Sequence, residues 1–245
     1  MPRPRHRTLI SNLKKFFIER NFTRAVVGLS GGVDSSLTLA LAVAALGKKN
    51  VFGLILPRKN VSSSESRILA KKVAKKFGVR TFEFEISKIV NNLKFPWEAS
   101  ALAEMNLAPR VRMIALFHFA NSRDALVLGT SNRSEISLGY GTKFGDFAAD
   151  VEVLGNLWKT EVFAFAKKLK IPREIIARVP TAELLPNQTD ESDLGASYEK
   201  LDAILQKLEA NNFGLSKNST EFEKEILARV LTNRHKTEPP QFLGI

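Results

Sequence analysis

Apolar and polar positions follow two rhythms along this chain. Arg24 to Leu29 (RAVVGL) and Val51 to Leu56 (VFGLIL) are almost continuously apolar, as strands buried on both faces are. Val79 to Ile86 (VRTFEFEI) alternates as a half-buried strand does, and Ala125 to Asn132 (ALVLGTSN) reads as a fourth buried strand with a polar end. Between these runs the period lengthens. Leu9, Ile10, Leu13, Phe16 and Phe17 recur at helical spacing. Asp34 to Leu46 reads as a helix stopped by Gly47, and Leu69, Val73 and Phe77 form one face of a helix stopped by Gly78. Ser62 to Glu65 predicts a capping box with Ser62 as N-cap and Glu65 at N3.

Asn106 to Ser122 predicts a helix that starts there or earlier and is disturbed at Pro109. Lys159 to Leu169 (KTEVFAFAKKL) is an amphipathic helix stopped before Pro172. Pro180 to Gly195 is Pro- and Asp-rich and reads as a long loop. Tyr198 to Ala210 and Thr220 to Thr232 read as helices, the second opened by a capping box of Thr220 and Glu223. Strands separated by helices of this length imply an α/β fold with a doubly wound, mostly parallel sheet flanked by helices. Ligands of such sheets bind beyond the carboxyl ends of the strands. No internal repeat or linker divides the chain, so residues 1–245 are expected to form a single domain.

Composition narrows the function. With 44% hydrophobic and 25% charged residues the chain is of ordinary globular type. The longest nearly apolar run, Leu37 to Leu46, is far short of the ~20 residues that span a bilayer. We expect a cytoplasmic protein with no membrane partner. The absence of cysteine excludes disulfides, thiolate metal sites and a cysteine nucleophile. The net charge of +12 suits a polyanion. No RNA-recognition signature, zinc finger or basic zipper accompanies it, so nucleic acid is not expected as the main partner. Arg3, Arg5, Arg7, Lys14 and Lys15 come before the first acid, as in a transit peptide. Their apolar neighbours run at helical period straight into the first strand, and we read a basic first helix.

The densest chemistry lies in VVGLSGGVDSSLTLAL, Val26 to Leu41. No stretch matches the Walker loop G-x-x-x-x-G-K-[ST] or the dinucleotide fingerprint G-x-G-x-x-G. Ser30, Gly31 and Gly32 stand between a buried strand and a helix. Glycines let the chain turn sharply and let a ligand approach the amides at the positive end of the helix. Ser30, Ser35 and Ser36 add hydroxyls. Asp34 is a carboxylate in an anion site and is repulsive there unless a cation intervenes. Mg²⁺ binds carboxylate and phosphate oxygens together.

SGGVDSS resembles the pyrophosphate loop of the N-type ATP pyrophosphatases, enzymes that split ATP into AMP and pyrophosphate while adenylylating an oxygen of the substrate. Their fold is the Rossmann-like one of the adenine nucleotide alpha hydrolases. Further along, LVLGTSNRSEISLGYGTKFGD, LWKTEVFAFAKKL, PTAELLPNQTDESDLGASYEKLD and RHK resemble the ammonia-dependent NAD synthetases, in one order from about Leu9 to Pro240. The absence of cysteine agrees, because glutaminase domains of the relevant types need one, and the chain is too short to carry such a domain as well. Delivery of ammonia by a separate glutaminase partner stays open.

The resemblance implies that the nicotinate carboxylate of deamido-NAD attacks the α-phosphorus of ATP, the co-substrate, and that ammonia then displaces AMP. It assigns ATP to Gly28, Leu29, Ser30, Gly31, Gly32, Val33, Asp34, Ser35, Ser36, Thr130, Lys159 and Thr181. It assigns deamido-NAD to Arg110, Lys143, Asp150, His235 and Lys236, and Mg²⁺ to Asp34 and Glu135. Asp34, Lys159 and Asp150 are the residues it places in catalysis. It also implies a homodimer, for which the apolar faces of Asn106 to Phe119 and Val162 to Leu169 are candidates.

Three segments depart from the family pattern: MNLAPR before Arg110, where GN is usual and Pro109 removes an amide; HKTEPP near the end, less basic than the usual run; and a loop with larger consequences. Where YGDGGAD is usual, this chain has FGDFAAD, Phe144 to Asp150. If Phe147 and Ala148 occupy positions of positive φ, the backbone must differ there. That departure leaves room for another adenylating amidase or ligase of the same superfamily acting on a different acid. The net charge alone supports a third reading, a basic ATP-sensing protein that binds nucleic acid.

Overall fold

The computed structural model describes residues 5–185, 188–240 and 242; Arg3 of the basic amino-terminal run lies outside them. Its strands are β1 (Arg24–Gly28), β2 (Val51–Ile55), β3 (Arg80–Glu83), β4 (Ala125–Gly129) and β5 (Val151–Glu152). All pair in parallel, in the order β3-β2-β1-β4-β5. The chain runs outward from β1 to β3, then returns to lay β4 against the other side of β1. The strand order therefore reverses between β1 and β4, and a crevice opens beyond their carboxyl ends.

Helices cover both faces. On one side lie α1 (Arg5–Glu19), α2 (Val33–Leu46) and α3 (Ser64–Phe77). On the other lie α4 (Ser87–Asn92), α5 (Ala101–Met105) and α6 (Leu107–Arg123). β1 divides its residues between the two layers. Ala25 and Val27 join the cluster that holds Leu13, Phe17 and Leu41, while Val26 joins the one that holds Val111 and Ala120. That is why RAVVG reads as an unbroken apolar run. After β4 come α7 (Arg133–Leu138), β5, α8 (Lys159–Lys168), α9 (Arg173–Ala177), α10 (Asp190–Leu194), α11 (Tyr198–Ala210) and α12 (Glu221–Asn233). α11 and α12 build a smaller cluster with Leu138 and Trp158.

Several expectations change. The N-cap of α3 is Ser63, whose hydroxyl accepts the Ser66 N–H at 3.0 Å. Ser62 is engaged elsewhere, closing the turn from Arg58 by accepting its N–H at 3.0 Å. Pro109 does not disturb α6, because it sits in the first turn, where an N–H would have no helical partner. The third strand stops at Glu83; its partner β2 ends at Ile55 and leads into Pro57. The span read as a loop from Pro180 to Gly195 contains α10, capped by Thr189, whose hydroxyl accepts the Ser192 N–H. Val162, Phe165 and Ala166 are buried within this chain, so the apolar face of α8 is core and is not available to a second copy. Among the described residues no helix is long and apolar enough to cross a membrane.

Candidate active site

Gly31 explains the close fit of the first loop. Its φ is +82°, and a Cβ there would lie 2.3 Å from the Ser66 carbonyl oxygen of α3. Only glycine allows both the turn and that approach. Gly32 is the N-cap of α2 and brings no side chain to the first-turn amides. Those amides are left to face the crevice with the positive end of the helix behind them. The serines build the loop from within. Ser36 is fully buried and donates to the Gly32 carbonyl at 2.7 Å; the Ser35 hydroxyl donates to the same oxygen at 3.2 Å and lies 3.1 Å from the Ser30 hydroxyl.

Three elements bring charge together above this loop. Lys159, at the start of α8, donates from Nζ to Asp34 Oδ2 at 2.7 Å and to Glu135 Oε1 at 3.0 Å. Asn132 caps α7 and accepts the Glu135 N–H, and its Nδ2 donates to Asp34 Oδ1 at 2.9 Å. Glu135 completes the capping box by accepting the Asn132 N–H at 3.1 Å. A lysine only 2% exposed keeps its charge here. Burial works against the ammonium, but the Asp34 and Glu135 carboxylates outweigh it and hold Lys159 above the ordinary lysine range. Burial pushes Glu135 up to about 7, with Lys159 opposing and Asp34 reinforcing the shift.

A cavity of about 500 Å³ opens over these groups, within the size range of small-molecule sites. Its wall includes Gly28, Leu29, Ser30, Gly32, Val33, Asp34, Thr130, Glu135, Lys159, Thr181 and Lys236 of the residues named from sequence. Gly31, Ser35 and Ser36 lie behind that wall. Arg110, Lys143, Asp150 and His235 are not part of it. Arg110 is exposed on α6. Lys143 donates to the His235 carbonyl at 2.6 Å, and Lys236 donates to the Gly139 carbonyl at 2.8 Å. Asp150 accepts the Val127 N–H at 2.7 Å and so extends the β4 ladder just before β5 begins.

Asp146 occupies the wall instead, accepting the Thr142 N–H at 2.9 Å. In the same loop neither Phe147 nor Ala148 has a positive φ; Phe144 does, at 59°. The Phe147 ring packs where Gly141 has no side chain, a Cβ there falling 2.5 Å from its Cζ. Four further residues escaped sequence reasoning: Asn132, Asp146, Asp190 and Tyr198. Asp190 accepts hydrogen bonds from Tyr140 at 3.1 Å and Tyr198 at 2.9 Å. Only Asn132 carries a legible signal, the N-x-x-E spacing to Glu135. Asp190 and Tyr198 are brought in by α10 and α11, and Asp146 by the loop between α7 and β5, where it accepts the Thr142 N–H.

The donor set suits Mg²⁺. That ion binds through one or two carboxylates together with substrate phosphates. Asp34 and Glu135 converge on one ammonium at the cavity wall. Among the described residues no group of three or more His, Cys, Asp or Glu could cage a metal alone.

Comparison with known proteins agrees with this architecture. A family model described as NAD synthase matches residues 6–240. The NH(3)-dependent NAD(+) synthetase of Methanocaldococcus jannaschii is 41% identical, over 95% of this chain and 95% of that protein. Its counterpart in Archaeoglobus fulgidus is 43% identical, over 89% and 87%. Among solved structures, an NH3-dependent NAD synthetase from Campylobacter jejuni superposes with a TM-score of 0.82 at 29% identity, covering 98% of this chain and 97% of that one. An NMN synthetase from Francisella tularensis gives 0.86 at 27% identity, with the same 98% and 97% coverage. A phosphate-type loop at the switch point, the Asp34–Lys159–Glu135 cluster over it and these matches along nearly the whole length agree: the chain belongs to the NAD synthase family.

Proposed function

We propose that this protein makes NAD by amidating deamido-NAD with ammonia, converting ATP to AMP and pyrophosphate. The observation that carries the reading is the Lys159 ammonium seated between Asp34 and Glu135 over an uncapped helix N-terminus, in a chain of this family. A carboxylate is a poor acyl donor and an acyl adenylate is a good one, so the acid must first attack the α-phosphorus. The β- and γ-phosphates then leave together. The amides at the start of α2 and the Lys159 ammonium are preorganised to receive that charge. Mg²⁺, held by Asp34 and Glu135, would supply further shielding of the phosphates. Thr130 and Thr181 contact ATP from facing loops. Lys236 on the cavity wall, and Arg110, Lys143 and His235 outside it, serve deamido-NAD as cations matched to its pyrophosphate and carboxylate, while Asp150 accepts a hydrogen bond from its ribose or helps receive ammonium.

The protein acts as a homodimer. Trp97, Leu102 and Ile114 are 65, 63 and 59% exposed, a large apolar commitment on one chain. Ile114 lies one turn from Arg110 on α6, so a second copy docked there lies beside a deamido-NAD contact. The chain has no cysteine with which to release ammonia from glutamine. Ammonia arrives free or from a separate glutaminase.

The likeness to the Francisella NMN synthetase and the Phe147 loop favour one second reading, in which the acid is nicotinate mononucleotide. One assay separates the two. The purified protein is incubated with ATP, Mg²⁺ and ammonium plus either acid, and products are followed by mass spectrometry. The main reading requires NAD, AMP and pyrophosphate in equal amounts from deamido-NAD. Amidation of the mononucleotide alone selects the second, and ADP as product overturns both.

A further inference from the structure

One helix grips Lys159 at both ends. The Tyr198 ring centroid of α11 is 4.9 Å from Lys159 Nζ. One turn along the same helix, Asp202 faces the main chain at the start of α8. Asp202 Oδ2 accepts the Thr160 N–H at 2.9 Å and the Thr160 hydroxyl at 2.8 Å. Its Oδ1 accepts the Ser134 hydroxyl of α7. Ser134 Oγ in turn accepts the Lys159 N–H at 2.9 Å. Asp202 is 2% exposed and Ser134 is fully buried. Three donors from two helices thus converge on one buried carboxylate, which is the acceptor-only group such a junction needs. Ser134 precedes Glu135, and Thr160 follows Lys159. The network therefore fixes the two first turns that carry these residues, and it makes no contact with the loop from Gly28 to Gly32.

We propose that Asp202 is a positioning residue that ties the starts of α7 and α8 to each other and so sets the Lys159 ammonium between Asp34 and Glu135. Its kinetic consequence rests on the function proposed above; its structural consequence does not. Asparagine keeps the shape but turns an NH₂ donor toward groups that also donate. The junction loosens and Lys159 shifts, while the phosphate loop keeps its form.

The test uses Asp202→Asn and the intact protein. Wild-type turnover is measured first, which judges the proposed function separately. With turnover in hand, Asp202→Asn is expected to lower kcat about 10- to 100-fold, as small misplacements near the chemistry do, with KM for ATP within about threefold. In a Lys159→Arg background the same change is expected to cost less than about threefold, because the group it positions is gone. Hydrogen exchange followed by mass spectrometry reads the junction without turnover. Exchange is expected to rise in peptides covering 133–138 and 159–162 and to stay unchanged in 28–37. If Asp202→Asn does not fold, Ser134→Ala carries both measurements. Unchanged exchange in those two peptides overturns the proposal. So does an unchanged kcat, or an equal fold-loss in both backgrounds.

Discussion

Lys159 Nζ donates to Asp34 Oδ2 at 2.7 Å, joining the first turns of α8 and α2 across 125 residues of sequence. Asp34 belongs to the phosphate loop and Lys159 to α8, whose apolar face packs in the same core layer as α1 and α2. Their contact turns a simple anion cradle into a site with its own balance of charge.

Removing the ammonium leaves two carboxylates facing each other. Lys159→Met is expected to lower kcat by about 100-fold or more, the scale for losing a preorganised charge at a reacting centre. In metal-free buffer the variant is expected to melt below wild type. Added Mg²⁺ is expected to raise its melting temperature more than that of wild type, because the metal restores a cation between Asp34 and Glu135. Calorimetry with and without Mg²⁺ checks this, and equal shifts for the two proteins would count against it.

Asp34→Ala is expected to abolish pyrophosphate release while the fold persists. Asp34 lies on the cavity wall rather than in the core, and its loss removes a charge partner without opening a void. Pyrophosphate assay beside circular dichroism tests this, and retained turnover contradicts the metal role.

Gly31→Ala combines positive-φ strain with a contact of 2.3 Å to the Ser66 carbonyl. A cost of about 2–4 kcal/mol is expected, or roughly 5–15 °C in melting temperature for a chain of this size. Gly47→Ala is the control. Its φ is also +82°, but nothing lies within 4 Å of the added methyl, so only the strain remains. Thermal melts of the two variants isolate the contact, and equal losses would show that the contact to α3 is unimportant.

Glu152 gives a pH signature. Burial raises it to about 8, against which the Ser131 N–H, donated to Oε2 at 3.0 Å, works only in part; Oε1 is buried without a partner. Its folded value lies above the unfolded one, so the native state holds the proton more tightly. The contribution to stability is fully present below about pH 4.5, falls through the window between, and is gone above about 8. Glu152→Gln is expected to flatten that fall and to melt a few degrees above wild type at pH 9. Melting curves from pH 5 to 9 for both proteins decide it. Parallel curves would show that Glu152 does not carry the effect.

Much of the molecule was legible residue by residue. Buried strands were visible because β1 and β4 are apolar on both faces, and helix stops at Gly47 and Gly78 follow from backbone chemistry. The phosphate loop was legible because an anion site needs glycines, hydroxyls and a helix start in consecutive positions. Short elements were not. α10 has five residues in an acidic segment, too few for a period to show. The start of α3 was misplaced by one residue because three successive serines offer equivalent caps, and the turn from Arg58 decides among them.

The sequence by itself determined the alternation of strand and helix, the phosphate loop and the family, since each is written in local order or in long ordered motifs. Tertiary structure alone decided which charges meet. It seated Lys159 between Asp34 and Glu135, put Asp146 rather than Asp150 on the cavity wall, and buried the apolar face of α8 that sequence left free for a partner. The physical reason is that hydrogen bonds and ion pairs act over a few ångströms. Distances that short between segments distant along the chain exist only once β4 lies beside β1 and α11 packs across the starts of α7 and α8.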